Sequence, residues 1–246
     1  MDLSLAGKSA IVGGASSGLG LAVAQALAAE GANVVMTGRG AEVLHAEAER
    51  IGAYPVVADM SRHDDLVRVV ELTMERNGRL DILVWNTGGP PNGPATGIGP
   101  QDARAAFDAL LAPLIDLVNL ALPHLKASDA GRILAITTGG AKEPTDNALS
   151  NAIRPGVIGY LKTLSTELAP HGITVNNLAP GRIRTKRLAD YHPEGAPSEF
   201  ETEIPMGRFG RPEEIGAAAS FLSSPRAGYI TGVTLVIDGG LARGIF

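Results

Sequence analysis

A glycine-rich segment near the start of the chain has residue types and a spacing suited to binding a phosphate. Residues 13–20, GGASSGLG, follow a short apolar run and lead into a helical pattern that begins at Leu19. Glycine tolerates positive φ and lets a ligand approach the backbone, while a helix N-terminus offers free N–H groups and partial positive charge. The segment predicts a pyrophosphate site, although its spacing differs from G-x-G-x-x-G. The alternative is a tight strand-to-helix connection.

A basic residue follows the second β-like run, which ends in Thr37-Gly38-Arg39. In dinucleotide-binding folds an acid at this position hydrogen-bonds the ribose 2′-hydroxyl, whereas an arginine accommodates a 2′-phosphate. Because Arg39 stands there and no acid competes with it, we predict NADP(H) rather than NAD(H). The alternative is an arginine that only faces solvent.

Short β-branched runs alternate with longer helical patterns, which predicts βαβ units and a parallel sheet buried on both faces. The predicted strands are Ser9–Val12, Asn33–Thr37, Tyr54–Ala58, Asp81–Trp85, Arg132–Thr137, Ile173–Leu178 and Val233–Ile237. The predicted helices are Leu19–Glu30, Ala41–Ile51, His63–Asn77, Ala103–Lys126, Ile158–Ala169 and Pro212–Leu222. We therefore predict an α/β fold in which residues 1–246 form a single Rossmann-type, doubly wound domain of about seven strands.

Two segments without regular periodicity, residues 88–100 and 186–205, are predicted to be surface loops. The first reads GGPPNGPATGIGP and the second carries four glutamates. Long loops in a compact domain often act as lids or bind ligands. The alternatives are a rigid proline connector for the first segment and a solvated acidic arm for the second.

Individual residues predict where three helices begin or end. Ser61 with Asp64 indicates a capping box, Gly78 indicates a helix stop, and Pro212 followed by two glutamates indicates a helix start. Proline disfavours α conformation in the residue before it and lacks an N–H. Pro155 therefore predicts that a regular helix begins only near that residue.

Composition excludes several classes of protein. The 246 residues are 45% hydrophobic and 19% charged, which excludes disorder and coiled coils. A net charge of −5 argues against nucleic acid as a partner, and the lack of cysteine excludes disulfides and thiolate zinc sites. No histidine pair has the spacing of metal ligands, so we expect no metal. We expect a cytoplasmic protein without a membrane partner.

The ordered motifs resemble those of the short-chain dehydrogenase/reductase superfamily over nearly the whole chain. They are the Gly14/Gly18/Gly20 turn, Asp59, Leu83–Gly88, Gly131–Ile133, His171–Asn176, Pro180–Thr185, Gly207-Arg208, Gly210–Ile215, Thr231-Gly232 and Asp238–Gly240. The resemblance implies one Rossmann-type domain, assembly as a homotetramer or homodimer, and hydride transfer between a nicotinamide and a carbonyl or alcohol.

The resemblance also implies a set of cofactor-binding residues. The phosphates are assigned to Gly14, Ser16, Ser17, Gly18, Leu19 and Gly20, and the 2′-phosphate to Arg39. Asp59 and Met60 border the adenine, Asn86 and Gly88 line the cofactor, and Pro180, Gly181, Ile183 and Thr185 fix the nicotinamide. Ser17 is not basic, so the prediction of NADP(H) depends on Arg39 alone.

The catalytic half departs from the family pattern, which has an asparagine, a serine and Tyr-x-x-x-Lys. Flanking motifs place Leu110 at the asparagine, Thr138 at the serine, Ser150 at the tyrosine and Arg154 at the lysine. Only Thr138 is chemically close to the residue that it replaces. The catalytic candidates are therefore Thr138, Ser150 and Arg154.

Ser150 and Arg154 cannot perform the tyrosine–lysine proton relay. A phenol titrates at about 10, a serine hydroxyl is far less acidic, and arginine stays protonated. We predict instead that the three residues form an oxyanion site for a small activated ketone or conjugated enone, with water supplying the proton later. Two alternatives remain: a proton donor from the second loop, Tyr191 or His192, and a catalytically impaired NADP(H)-binding sensor or partner-binding protein.

Overall fold

A computed structural model describes residues 2–141, 144, 147–191, 194–195 and 197–244 of the chain. The strands are β1 (Ser9–Val12), β2 (Asn33–Gly38), β3 (Tyr54–Val57), β4 (Ile82–Trp85), β5 (Arg132–Ile136), β6 (Thr174–Pro180) and β7 (Thr234–Ile237). They form one parallel sheet in the order β3-β2-β1-β4-β5-β6-β7. The predicted Rossmann-type sheet of seven strands is confirmed.

The helices cover both faces of the sheet. They are α1 (Gly18–Ala29), α2 (Ala41–Ile51), α3 (His63–Asn77), α4 (Pro100–Leu110), α5 (Ala112–Ala127), α6 (Ala148–Leu168), α7 (Lys186–Tyr191), α8 (Ser198–Thr202) and α9 (Pro212–Ser223). The predicted single helix over 103–126 is two helices, which meet at Leu111. Pro212 begins α9 and Gly78 ends α3 with φ +67°, as predicted.

Strand residues alternate between two hydrophobic cores, as side chains on a pleated sheet must. Ile11 of β1 packs with residues of α3, α5 and α6, whereas Ala10 and Val12 pack with residues of α1, α2 and α9. Strand β1 lies between β2 and β4. From β1 the chain continues outward to β2, and from β4 it continues outward on the other side to β5, so the connections after these two central strands run in opposite directions. That arrangement opens a crevice at the carboxyl ends of the strands.

Helix α6 begins much earlier than predicted and runs through Pro155. At its start the Asn147 side chain accepts a hydrogen bond of 3.1 Å from the Ser150 amide. Leu149 and Val157 are buried on either side of the proline. Capping and packing together hold a conformation that Pro155 disfavours locally, so the predicted irregular start is wrong.

The segment 186–205 is not the irregular loop that the sequence predicts, because it contains α7 and α8, of six and five residues. Segment 88–100 is largely irregular, with a short 3₁₀ turn at Ala95–Gly97. The predicted capping box at Ser61 is wrong, since α3 begins after Arg62 and the Ser61 hydroxyl donates to Asp59 at 2.7 Å. Helices this short lack a sequence period and depend on tertiary contacts.

Among the described helical segments, Pro100–Ala127 is long and apolar enough to cross a membrane, with a mean hydropathy of 1.7. This stretch breaks into α4 and α5, and α5 buries Leu114, Leu117 and Leu125 in the core. A core helix meets the same criteria of length and composition. Packing within the chain accounts for its apolar character.

Candidate active site

A cleft of about 1220 Å³ lies at the carboxyl edge of the sheet. Its lining includes nearly all of the site residues that the sequence predicts: Gly14, Ser16, Ser17, Gly18, Leu19, Arg39, Asp59, Met60, Asn86, Gly88, Thr138, Ser150, Arg154, Pro180, Gly181, Ile183 and Thr185. These residues come from the carboxyl ends of six strands, β1 to β6, and from α6, so the fold and not sequence proximity brings them together.

The glycine turn between β1 and α1 is held from behind by Asn86. The Asn86 side-chain amide donates to the carbonyl oxygens of Gly13 at 3.1 Å and Gly14 at 3.4 Å. A Cβ at Gly20 would lie 2.3 Å from the Gly14 oxygen and 2.7 Å from Asn86 Nδ2. Gly20 therefore permits close packing of the turn and is not part of the cleft lining, whereas Asn86 is both a brace and a lining residue.

Asp59 organises the loop after β3. Its carboxylate accepts hydrogen bonds from the Ser61 hydroxyl at 2.7 Å and the Ser61 amide at 3.0 Å, while its own amide donates to Asp65. These bonds from Ser61, aided by the charge of Arg39, lower the pKa of Asp59 below its ordinary value. The carboxylate is thus engaged within its own loop, and it fixes the position of the neighbouring Met60.

Arg39 supplies a cation at the end of β2, where its side chain is exposed and lines the cleft. Within the described ranges no carboxylate lies within ion-pair distance of Arg39. The charge is therefore available to an anion at this side of the cleft.

The segment after β6 forms the far wall of the cleft. The Gly181 amide donates to Ile237 of β7, and residues 182–184 pair with Gly210 through two backbone hydrogen bonds of 3.0 and 2.9 Å. Ile183 is buried beneath this pairing. The backbone of Pro180–Thr185 is consequently fixed by two neighbours before any ligand binds.

The three catalytic candidates come from two adjacent elements. Thr138 follows β5 and its hydroxyl accepts a hydrogen bond from the Gly140 amide at 3.3 Å. Ser150 and Arg154 lie one turn apart on α6, and both are more than nine-tenths buried. Arg154 donates to the Ile136 carbonyl at 3.3 Å, which ties the start of α6 to the end of β5. Two hydroxyls and a guanidinium thus share one wall of the cleft.

Of the other residues considered from the sequence, the described structure places the side chain of Leu110 but not those of Tyr191 and His192. Leu110, which the flanking motifs align with the family asparagine, is buried at the end of α4, and the neighbouring Ala109 lines the cleft. Only the backbone of Tyr191 is described, and His192 lies outside the described residues. In the described part of the chain, neither tyrosine nor histidine lines the cleft.

Several lining residues escaped the sequence prediction, among them Asn92, Asn147, Lys186 and Phe200. Asn147 carried a usable signal, because asparagine three residues before a helical Ser150 is a favoured N-cap. The side-chain amide of Asn147 also donates to the Asn92 carbonyl oxygen. Asn92, Lys186 and Phe200 have no local signal, since they reach the cleft only through tertiary packing.

Two arginines of the far wall contact residues 198–203, a segment that we call the cover. Arg182 stacks on Phe200 at 4.2 Å and pairs with Glu203 at 2.5 Å, while Arg184 pairs with Glu201 at 2.9 Å. These pairs neutralise part of the acidic character that the sequence shows for 186–205. The cover is therefore neither a free loop nor a fully solvated arm.

Comparison with known proteins gives matches along almost the whole chain. A family model described as enoyl-(acyl carrier protein) reductase matches residues 14–242. The 3-oxoacyl-[acyl-carrier-protein] reductase FabG of Thermotoga maritima is 33% identical, with 96% of this chain and 98% of that protein covered. A solved protein from Brucella melitensis described as a short-chain dehydrogenase/reductase is 31% identical, with 99% and 100% of the chains covered and a TM-score of 0.92.

The chain belongs to the short-chain dehydrogenase/reductase superfamily. Two further solved members of this superfamily differ in the cofactor that their descriptions name. YwfH, described as an NADPH-dependent reductase involved in bacilysin biosynthesis, is 31% identical, with coverage of 97% and 99% and a TM-score of 0.92. A 3-ketoacyl-(acyl-carrier-protein) reductase from Brucella melitensis, in complex with NADH, is 34% identical, with coverage of 97% and 99% and a TM-score of 0.90.

The cleft fits the nicotinamide dinucleotide that short-chain dehydrogenases use. Gly18 has φ +58°, and a Cβ added there would meet nothing nearer than Thr185 at 3.9 Å, so space beside this backbone is open. Over the described residues, no side chain caps the N-terminus of α1. Open space, first-turn amides and a nearby cation are what a diphosphate requires.

Proposed function

We propose that the protein is an NADP(H)-dependent reductase that transfers hydride to an activated ketone or a conjugated enone. One observation carries the proposal: Thr138, Ser150 and Arg154 line the same cleft as the glycine turn and Arg39. The cofactor half keeps the family pattern, whereas the catalytic half offers hydroxyls and a guanidinium instead of a phenol and an amine.

The bound dinucleotide supplies the hydride, and the protein must stabilise the charge that appears on the substrate oxygen. The hydroxyls of Thr138 and Ser150 donate hydrogen bonds to that oxygen, and Arg154 contributes a permanent positive charge. When hydride reaches the β-carbon of an enone, the charge spreads over an enolate, which is less basic than an alkoxide. A proton from water then completes the saturated ketone, so no acidic side chain is needed during hydride transfer.

NADP(H) is favoured over NAD(H) by the charges at the adenosine end of the cleft. Arg39 lies at the strand end where a 2′-phosphate is bound, and the only nearby carboxylate within the described lining, Asp59, is engaged by Ser61. The NADPH dependence of YwfH supports this assignment, and the NADH complex of the Brucella melitensis reductase is the contrary precedent.

Reduction of a 3-oxoacyl thioester is a second candidate, because relatives with that activity in their names cover nearly the whole chain. A 3-oxoacyl group is a ketone activated by the neighbouring thioester. The alkoxide formed by hydride transfer is therefore less basic than the alkoxide formed from a simple ketone. The two candidates differ in the substrate that extends from the reacting carbon and share the same catalytic wall.

An NADPH-oxidation assay across 1,2-diketones, enones, a 3-oxoacyl thioester and simple ketones tests the proposal. The protein is compared with Ser150→Ala and with a double variant, Ser150→Tyr combined with Arg154→Lys. We expect the unaltered protein to reduce activated substrates only and the double variant to gain reduction of simple ketones. Tight NADPH binding without oxidation by any substrate would instead favour a sensor.

The same proposal includes the assembly and location of the enzyme. We propose that residues 1–246 act as one dinucleotide-binding and catalytic domain, in a homotetramer or homodimer located in the cytoplasm. The continuous sheet supports a single domain, and the absence of cysteine from the sequence supports a cytoplasmic location. Size-exclusion chromatography with light scattering measures the assembly directly.

A further inference from the structure

A smaller pocket of about 340 Å³ adjoins the cleft, between the segment after β4, helix α4 and the start of α6. We call it the side pocket; its walls include Pro90, Asn92, Ile98, Ala105, Ala109 and Leu149. No residue of the glycine turn or of Pro180–Thr185 is among its lining residues in the described structure. It is therefore separate from the surfaces assigned to the dinucleotide.

The loop wall of the side pocket is fixed in place. Prolines restrict backbone rotation, and this wall contains three of them, Pro90, Pro91 and Pro94. The Ala148 amide donates to the Gly93 carbonyl at 3.3 Å, and the side chains of Asn92 and Asn147 are hydrogen-bonded. The segment is thus attached to the start of α6, so the pocket exists before a ligand arrives.

The helix wall is lined by short side chains. Ala105, Ala106 and Ala109 of α4 face the pocket, and the only charged group among its lining residues is Asp102. One carboxylate oxygen of Asp102 accepts a hydrogen bond of 2.9 Å from the Gly99 amide, where it caps α4. The pocket therefore presents mainly carbon atoms, which favours an apolar occupant.

The side pocket opens into the cleft beside the catalytic wall. Gly89, Asn92 and Ala109 line both spaces. On α6, Leu149 lines the side pocket and the next residue, Ser150, lines the cleft. A substrate whose oxygen lies against Ser150 can therefore extend past Asn92 into the side pocket.

We propose, on the basis of the proposed function, that the side pocket binds an aromatic or alicyclic ring attached next to the carbonyl that is reduced. A cavity of about 150 Å³ holds benzene, so the side pocket accommodates a ring with a short substituent. The substrate class is therefore a ring-substituted activated ketone or enone. A straight acyl chain does not use the width of this pocket.

The test separates binding in the side pocket from turnover. Binding of 1-(4-fluorophenyl)propane-1,2-dione to the complex with NADP⁺, which cannot donate hydride, is measured by fluorine NMR titration. Ala105→Leu and Ala105→Phe fill the pocket progressively, and Ala103→Leu and Ala103→Phe make the same changes at an exposed position of α4 outside it. Circular dichroism confirms that each variant is folded, and NADPH oxidation is followed in parallel with butane-2,3-dione as the small substrate.

We expect Ala105→Leu to weaken binding of the aryl dione by about tenfold or more, Ala105→Phe to weaken it further, and both Ala103 variants to leave it unchanged. Reduction of butane-2,3-dione should be preserved in all four variants. Absent binding, or equal binding by the Ala105 and Ala103 variants, overturns the side-pocket proposal even if both diones are reduced. Selective loss of binding without reduction of either dione supports the pocket and rejects the proposed reductase.

Discussion

The two edges of the sheet use charged residues in opposite ways. At the amino edge Asp81 is fully buried and accepts hydrogen bonds from the Ser9 amide, the Ser128 hydroxyl and the Arg79 guanidinium. Arg132, at the same edge, is buried and donates to three backbone carbonyl oxygens, at 2.8, 3.4 and 3.4 Å. Asp81 and Arg132 thus hold the ends of neighbouring strands and helices together through hydrogen bonds.

At the carboxyl edge the charged and hydroxyl groups line a cleft, although one of them, Arg154, also donates to the Ile136 carbonyl. Arg39 has an exposed side chain, and Thr138, Ser150 and Arg154 border an open space. A single fold thus separates a stabilising edge from a binding edge. The comparison implies that similar substitutions at the two edges differ in their main effect, which is on stability at the amino edge and on binding or turnover at the carboxyl edge.

Removing the guanidinium of Arg154 should produce the largest effect. We expect Arg154→Met to lower kcat/KM for an activated ketone by about 10²–10³-fold, because one donor to a developing oxyanion contributes that much. The matched change at the amino edge, Arg132→Met, should lower the urea midpoint and leave kcat/KM near that of the unaltered protein. Steady-state NADPH oxidation and urea denaturation of both variants measure the contrast, and wild-type turnover by Arg154→Met would contradict the proposed site.

Asp81→Asn should lower the free energy of unfolding at pH 7 by about 2–4 kcal/mol, since hydrogen bonds to a charged group are lost. Burial raises the pKa of Asp81, but hydrogen bonds from Arg79 and Ser128 outweigh it, so the pKa lies below its ordinary value. The stabilisation is therefore complete above the unfolded pKa of about 3.9 and is lost as the pH falls through the folded value.

Urea denaturation between pH 7 and pH 3 measures this linkage. The variant should lose less stability than the unaltered protein on acidification, because its amide does not titrate. Asp129→Asn is the control, since Asp129 pairs with Arg79 but its side chain is 73% exposed. An equal loss in both variants would mean that burial at this edge does not strengthen the interactions of Asp81.

Arg39→Leu should raise the Kd for NADPH by about 10- to 100-fold and leave that for NADH nearly unchanged, because a charged hydrogen bond contributes about 1.5–3 kcal/mol. Fluorescence titration with each dinucleotide measures the selectivity. Arg62→Leu removes an exposed cation that does not line the cleft and serves as the control. Equal losses for NADPH and NADH would remove the basis for assigning NADP(H).

The smallest effect is expected on the cover of the cleft. Glu201→Gln removes the ion pair with Arg184, whose side chains are 39% and 73% exposed. Exposed pairs contribute about 0–1 kcal/mol, so the thermal midpoint and KM should change little, and any change in KM should disappear at high salt. A large, salt-independent change in KM would show that this pair positions the cover during catalysis.

The sequence predicts well the parts of the fold that depend on local pattern. The run Ser9–Val12 is fully buried, as its apolar composition indicates, and the glycine turn after it lies at the carboxyl edge. Gly78 and Pro212 affect the backbone only within one or two residues of their own positions. The end of α3 and the start of α9 could therefore also be predicted from the sequence. In each case the neighbouring residues along the chain determine the conformation.

The remaining features depend on contacts between distant residues. Pro155 predicts a late start for α6, but Asn147 and the buried Leu149 extend the helix upstream of it. The stacking of Arg182 on Phe200 supports a short helix that no periodic pattern reveals. The brace that Asn86 forms and the side pocket likewise depend on residues that come together only in the fold.

The crevice between β1 and β4 has a consequence for how such a chain changes over time. Its opening results from the route that the backbone takes on leaving the sheet, not from any catalytic side chain. In the proposed function, Ser150 and Arg154 stand in place of the family's tyrosine–lysine pair, and the fold allows such a change of catalytic residues while the glycine turn keeps its shape. Catalytic residues at this edge can therefore be substituted without rebuilding the sheet that forms the crevice.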